Sequence, residues 1–551
     1  MKRSCTYKFI LFGIGNLLFA ISVNAQRDTG KGREVQISST YKPVLREAAK
    51  INLNATPPVT DTSKSKLQYN IPDENLLFAY QPGSLKPLAL DVDSGGRWDN
   101  SSYIKAGFGS LKTPLVQGGI SFGDGKTVGL NVYAKHVASQ GKREFQDFSN
   151  TEFSVNGFIQ TAKNLEWDAR LGMKNDLTYK YGFLPEGLSF PKDSLKQNFQ
   201  TWSGRLSFHN IKPTEFGLSF APEVKIDVFN DNHSNNESNS YLNLPLRKSI
   251  GNNFAINLAA SFDLTRYKPS TKTVVNNTMW DISPSVSYKS PGFSILGGIR
   301  PSWDTKTTKI YPNILAEIGT PDQRFTVIAG WTGYLRKTSY MSLAAYNPWI
   351  WAPAELNNTG IVERYIGFKG SLMDHFSYMG KLAYNTVTNQ PLFVNDTSDG
   401  KSFIVLNEAQ MNVWHIGGQV AYNAGEKFSL TGGLSLNQYS NLHTYKGGKA
   451  WGLIPIEFTT ALRLQILKDL YLTSDVFVWD RVPYRKDNGS SDYLKGAADV
   501  NAGLEFQITK NLKAWAQFNN IFNKEYQRWN QYPVYGFNFL GGVIFNFNQK
   551  N

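Results

Sequence analysis

The amino-acid sequence predicts an all-β protein: a 22-stranded antiparallel transmembrane β-barrel preceded by a short extended N-terminal arm. Three observations support this fold class. Apolar and polar residues alternate strictly near the end of the chain, ten short turn signals alternate with longer loops, and no apolar run beyond the N-terminus reaches the roughly 20 residues of a membrane-spanning helix. Alternation places apolar side chains on one face of a strand, and in a membrane barrel that face contacts lipid.

The first 25 residues have the features of an export signal. A basic start that includes Lys8 precedes an apolar run, which ends in small residues before Gln26. We expect cleavage at this point, which also removes Cys5, the sole cysteine. The mature chain would then carry no thiol chemistry in an oxidising compartment.

Residues 26–101 are predicted to form an extended periplasmic arm, because they are rich in proline and in short polar side chains. One piece of this arm alternates apolar and polar residues, and two interpretations of it stay open. It is either a segment that pairs with the edge strand of a periplasmic partner, or ordinary extended chain. The segment consists of Glu34, Val35, Gln36, Ile37 and Ser38.

The turn signals set the expected strand number of the barrel, which we place at residues 102–551. With both termini in the periplasm, ten periplasmic turns join twenty strands, and one strand is added at each end. We expect the first strand near residues 103–109 and the last at 535–547, with long external loops such as 336–363. The turns, rich in Gly, Pro, Asn and Asp, lie at 123–126, 163–164, 212–214, 249–252, 290–292, 320–322, 372–374, 424–426, 468–469 and 510–511.

Aromatic residues follow nine of these ten turns within a few positions, which predicts a periplasmic aromatic girdle at the headgroup level of the membrane. They are Trp167, Phe216, Phe254, Phe293, Phe325, Phe376, Phe428, Tyr471 and Trp515.

The C-terminal strands have the clearest alternation. The even positions of 500–508 and the odd positions of 537–547 are predicted to face lipid. The last strand is the candidate signal for assembly of the barrel, through Phe537, Phe539, Val543, Phe545 and Phe547.

Three segments near the C-terminus, residues 519–526, 532–537 and 539–547, resemble the end of TonB-dependent receptors. The resemblance implies a 22-stranded barrel whose last strand is recognised by the barrel-assembly machinery. That family also carries a folded plug of well over a hundred residues, whereas residues 26–102 number only 77 and contain no glycine-rich plug motif. The opening around Tyr41, Lys42 and Pro43 is similar to that of plugless barrels of Bacteroidetes-type bacteria.

Charge and motif content narrow the function classes. The net charge is +14, of which Lys2, Arg3 and Lys8 contribute three, so the mature chain would carry +11. The basic residues are scattered, which argues against binding of nucleic acid and favours contact with outer-membrane lipid or a merely solvated surface.

Six histidines lack metal-ligand spacing and no nucleophile motif occurs, so we predict no catalytic residue, metal or cofactor. An enzyme site assembled from distant strand ends remains the open alternative.

One external loop is rich in aromatic residues, with Tyr346, Trp349 and Trp351 among prolines. Either it contacts a sugar, peptide or protein, or it folds inward and caps the barrel mouth.

The favoured function is passage of a solute or polymer across the outer membrane. The alternative is a non-transporting structural subunit of an envelope complex, which docks a periplasmic partner through the N-terminal arm.

Overall fold

The computed structural model describes residues 101–548, apart from 184–186, 271–272, 321, 323, 374 and 426. The expected signal (1–25) and the segment from Glu34 to Ser38 lie outside the described residues, as does the arm up to residue 100. Among the described residues, no helix combines the length and the hydrophobicity needed to span a bilayer.

The described chain consists almost entirely of antiparallel strands. Two short helices interrupt them, α1 (Lys192–Leu195) and α2 (Tyr340–Tyr346), and a 3-10 turn (Ser110–Lys112) joins the first two strands. The strands are β1 (Ser101–Gly109), β2 (Thr113–Gly123), β3 (Val128–Ser139), β4 (Phe148–Thr161), β5 (Leu165–Tyr179), β6 (Lys196–Asn210), β7 (Leu218–Phe220), β8 (Glu223–Asp231), β9 (Asn236–Ile250), β10 (Phe254–Lys268), β11 (Val275–Ser290), β12 (Phe293–Asp304), β13 (Thr308–Gly319), β14 (Thr326–Arg336), β15 (Thr359–Leu372), β16 (Phe376–Asn395), β17 (Phe403–Asn423), β18 (Phe428–Ser440), β19 (Ile456–Leu467), β20 (Leu470–Trp479), β21 (Pro483–Arg485), β22 (Ser491–Tyr493), β23 (Ala497–Gln507), β24 (Leu512–Asn519), β25 (Gln527–Trp529), β26 (Tyr532–Pro533) and β27 (Asn538–Asn548).

These strands close into a barrel of 22, as the sequence predicts. Strands that follow one another along the barrel pair antiparallel, and β1 pairs with β27 to close the sheet. The pieces β7 and β8 both pair with β9 and make one interrupted strand, broken at Pro222, which has no N–H to donate. The hairpins β21–β22 and β25–β26 lie in loops outside the barrel sheet.

The ten predicted turns join the expected strand pairs and share one rim, here called the short-turn rim. The turn at 124–127 shows why such sequences bend: three backbone N–H groups donate to Asp124 Oδ1, and Gly125 takes a φ of 66°. The opposite rim, here called the long-loop rim, carries the long connections 337–358, 441–455, 480–496 and 520–537. The last strand starts at Asn538 rather than at residue 535, because Phe537 N–H donates to the loop residue Asn523.

The apolar face of each strand points outward, which confirms the two predicted series. Phe506 is 49% exposed and so is Phe545, whereas Leu540 and Ile544 on the opposite face of β27 are buried. Antiparallel partners point to the same side of a sheet, so the pairing of Phe506 with Leu470 extends this face to β20. The exterior is therefore an apolar surface suited to lipid.

The prediction of an aromatic girdle is wrong at two of the nine positions, Tyr471 and Trp515. Both pair with Glu505 on the face opposite to the exposed Phe506, so they point into the barrel. Trp515 is only 5% exposed, because its ring lies across the seam between β27 and β1: a Cβ added to Gly107 would lie 2.4 Å from the Trp515 ring. Small residues at the seam thus admit a large inward side chain.

Candidate functional site at the barrel mouth

The loop of residues 337–358, here called the mouth loop, crosses the long-loop rim. It leaves β14 and returns to β15, yet its tip contacts β5 and β6, which are far away in the strand order. Trp349 Nε1 donates to the carbonyl of Tyr179 at 3.1 Å, and Gln197 Nε2 donates to the carbonyls of Pro348 and Ile350 at 3.3 and 3.4 Å. The mouth loop therefore spans the opening.

Helix α2 anchors the mouth loop to the barrel wall. Ser339 caps its first turn, in a capping box with Ser342. The carboxylate of Glu237 accepts the N–H groups of Tyr340 and Met341 at 2.6 and 3.2 Å, so a buried acid on β9 satisfies a helix start that would otherwise lack partners.

Aromatic packing holds the tip of the mouth loop. Trp349 stacks on Tyr532 with ring centroids 4.0 Å apart, and Tyr346 lies against Phe393 and Trp529 at 5.1 and 5.4 Å. We call the set around these rings the aromatic cluster. Its buried members are Phe199, Phe229, Tyr267, Tyr340, Leu343, Ala344, Ile350, Leu356, Phe393, Phe403, Trp529 and Tyr532.

Backbone hydrogen bonds add to this packing. Trp351 N–H donates to the carbonyl of Phe403 at 2.8 Å, and Phe403 N–H donates to the carbonyl of Trp349 at 3.0 Å. Arg528 Nη2 donates to the Tyr346 hydroxyl at 2.7 Å and to the carbonyl of Gly452 at 2.9 Å. Loops from four parts of the chain thus meet above the opening.

The three aromatic residues singled out from the sequence lie in this assembly. Tyr346 and Trp349 are half-buried in the aromatic cluster, while Trp351 is 40% exposed. This inward packing corresponds to the capping interpretation, and a contact role for Trp351 stays a prediction. Sequence reasoning missed Tyr532 and Glu237; the proximity of Trp529 to Tyr532 was the available signal for the first, and nothing local marks the second.

A buried cation lies beneath the exposed tryptophan. Lys180 is 2% exposed, and its Nζ lies 3.9 Å from the centroid of the Trp351 ring. Burial lowers the pKa of Lys180 to about 8, although the nearby Asp399 favours the charged form. We therefore expect the packing of the mouth loop to depend on pH.

The inward faces of the strands carry charges that pair across the wall. Lys381 lies 2.7 Å from Glu363, Lys369 lies 2.8 Å from Glu317, and comparable pairs join Arg300 to Asp281 and Arg205 to Glu223. The wall below the mouth loop is thus polar, as expected for a barrel whose lumen is wet.

One cluster contains metal-ligand residue types, Glu166 and Asp168 on β5 with His209 on β6. Sequence spacing did not reveal it, because strand pairing brings the residues together. The two ring nitrogens of His209 face different carboxylates, at 3.8 Å from Glu166 and 3.7 Å from Asp168. A metal ion takes one nitrogen of a histidine ring, whereas the two carboxylates here lie nearest to different nitrogens of His209.

Comparison with known proteins supports the fold. No protein-family model matches the chain, and no curated protein matches its sequence. Solved structures do match: the FrpB iron transporter of Neisseria meningitidis (11% identity, 81% of each chain covered, TM-score 0.62) and the siderophore receptor PirA of Acinetobacter baumannii (9% identity, 81% of this chain and 80% of that one, TM-score 0.62). The Escherichia coli K12 ferric-catecholate import receptor Fiu is similar too (11% identity, 82% of each chain, TM-score 0.61).

At these identities the likeness shows the fold, and it confirms the resemblance to TonB-dependent receptor barrels at that level. An exterior of exposed apolar side chains around a closed barrel places the protein in the outer membrane. These similar proteins are transporters and receptors rather than enzymes.

Proposed function

We propose that the protein passes a solute or polymer across the outer membrane, and that the mouth loop is the movable cover of that path. This proposal rests on one observation: the barrel mouth is closed by contacts between loops and not by paired strands. The mouth loop is held to the other loops above the opening by side-chain packing and a few hydrogen bonds, and the wall below it is polar. Loop contacts of this kind open at lower free energy than a strand ladder does.

The orientation of the barrel is part of the proposal. The long-loop rim faces the exterior and both termini face the periplasm, following the usual distribution of short and long connections. Cysteine labelling of intact cells tests it, at Ala354→Cys in the mouth loop and Asn511→Cys in the last short turn, both exposed positions. Labelling of the first and protection of the second is expected, and the reverse would invert the topology.

Two partners follow from the fold and stay proposals. The barrel-assembly machinery would recognise the last strand through its outward residues Phe539, Val543 and Phe545. A TonB-type partner would pair with the segment from Glu34 to Ser38 and supply the energy that moves the cover.

Liposome swelling tests the proposed function with sugars of graded size. The double variant Trp349→Ala/Tyr532→Ala removes the stacked pair that joins two loops, so it should admit solutes faster than the wild type. Trp167→Ala/Phe208→Ala is the matched control, because this stacked pair, with ring centroids 4.7 Å apart, lies near the short-turn rim and not at the mouth. If neither the wild type nor the opened variant admits any solute, the alternative of a structural envelope subunit holds.

A further inference from the structure

The barrel closes at a seam between its first strand, β1, and its last strand, β27. Every other pair of neighbouring barrel strands is joined by a turn or a loop, whereas these two are connected only through the rest of the chain. Bringing distant parts of a chain together has an entropic cost that a hairpin does not have. The closed seam therefore depends on the contacts made across it.

The inward face of the seam is lined by glycine. Gly107 pairs with Gly542 across the seam, and Gly542 pairs in turn with Trp515 on β24. Phe108 is 62% exposed and points outward, so Gly107 and its two cross-strand neighbours lie side by side on the inward face. A Cβ atom on Gly542 would collide with the carbonyl oxygen of Ala106, so a side chain has no room there.

Trp515 reaches from β24 across β27 to β1. Its Nε1 donates to the carbonyl of Ala106 at 3.3 Å, although 409 positions separate the two residues. The ammonium group of Lys105 lies 4.1 Å from the centroid of the Trp515 ring, which is within the range of a cation–π contact. One side chain thus links two strands that are not neighbours in the sheet, over the closing strand that lies between them.

An apolar cluster surrounds the Trp515 ring. Its other buried members are Leu115 on β2 and the two β27 residues Leu540 and Ile544, and Tyr103 of β1 packs against it. Among the buried apolar clusters of the part of the chain that the structure describes, this one alone contains residues of both closing strands. The apolar surface that these strands bury together favours the closed seam.

We propose that Trp515 is an internal clasp, which holds the seam shut and determines how often β1 and β27 separate. Without the indole ring, the seam would keep its backbone ladder, but Gly107 and Gly542 contribute no side chain that could pack in its place. The clasp acts on the barrel wall itself, so this inference does not rest on the proposed passage of a solute.

Hydrogen exchange of the full chain in detergent, measured by mass spectrometry on peptides from β1 and β27, reports opening of the seam. Trp515→Ala should raise exchange in these two strands by roughly tenfold or more, because it removes a large buried side chain. Exchange in β12 and β13, which lie far from the seam in the strand order, should not change. The matched control is Trp479→Ala, an inward tryptophan of β20 whose ring contacts Phe477 and Tyr526; it should leave exchange at the seam unchanged.

A disulfide across the seam tests whether the effect arises there. Ile104 and Phe545 are direct partners on the outward face, and antiparallel partners have Cα atoms about 4.5–5.5 Å apart, a spacing that a disulfide bridges. In the Trp515→Ala chain, the oxidised pair Ile104→Cys/Phe545→Cys should restore slow exchange in β1 and β27. Reduction of the disulfide should remove this protection again.

Three outcomes would overturn the inference. Unchanged exchange in β1 and β27 would show that Trp515 does not hold the seam, and an equal increase in β12 and β13 would indicate a general loss of stability. Fast exchange that persists with the disulfide formed would place the effect elsewhere. Heat-modifiable migration shows that each variant is folded. If Trp515→Ala forms no barrel, Trp515→Phe takes its place: it keeps a ring but loses the N–H donor, so a smaller increase confined to the same two strands is expected.

Discussion

At the residue scale, Lys180 links the closed mouth to pH. Its pKa is about 8 in the folded chain and 10.5 ordinarily, so an open mouth loop binds more protons between these values. The burial penalty is complete below pH 8 and declines as the pH rises towards 10.5. The closed state therefore gains stability over that window, by at most about 1.4 kcal/mol for each pH unit.

We therefore expect Lys180→Met to stabilise the closed mouth loop at pH 7 and to lose this advantage progressively above pH 8. Hydrogen exchange of the Trp351 amide, which donates to Phe403, reports the free energy of opening. Lys192→Met changes a lysine that is more than half exposed and serves as the control. A stabilisation that is the same at pH 7 and pH 9.5 would show that Lys180 stays charged or unburied.

The two faces of β23 provide a second test at this scale. Leu504 shares the outward face with Phe506, whereas Glu505 points inward. An arginine on the lipid face costs about 2–4 kcal/mol at the bilayer midplane, so Leu504→Arg should impair assembly far more than Glu505→Arg. The fraction of heat-modifiable barrel in isolated membranes measures this, and equal losses would mean that the face assignment is wrong.

At the scale of elements, local sequence signals predicted the turns and the strands. The two wrong girdle positions arose because the prediction ignored whether a residue is an even or an odd number of positions from its turn. Gly and Asp in a short turn determine its geometry within four residues, as at Asp124. A girdle position depends instead on whether a side chain lies an even or odd number of residues from the turn. Tyr471 follows Leu470 by one position, and because Leu470 pairs with the outward Phe506, Tyr471 points inward. Alternation around Leu512 and Ala514 already placed Trp515 on the inward face.

The N-terminal arm is the element that the sequence describes and the structure does not. Because residues 27–95 are polar and rich in proline, we expect them to be dispensable for barrel folding but needed for function. Deletion of 27–95 behind the signal should leave a heat-modifiable outer-membrane barrel with altered conductance or with its partner lost. Loss of the barrel itself would identify the arm as a folding element or a reduced plug.

At the scale of the whole molecule, the strand number followed from counting turns, because each turn is local and the barrel must close. The closed packing of the mouth loop could not be predicted in this way, because its contacts join residues that are far apart in the sequence. Trp349 and Tyr532 stack although 183 positions separate them in the sequence. Glu237 accepts a hydrogen bond from the Tyr340 N–H, 103 positions away. A pattern of alternation contains no information about such pairs.

Single-channel conductance in planar bilayers tests the central claim most directly. The first protein is the chain that lacks residues 27–95. The second also carries Trp349→Ala/Tyr532→Ala, which frees the mouth loop, and the third carries instead the control change Trp167→Ala/Phe208→Ala near the short-turn rim. We expect a low basal conductance, long-lived openings once the stacked pair is removed, and no change in the control. A closed barrel in all three, with folding intact, would contradict a solute path covered by residues 337–358.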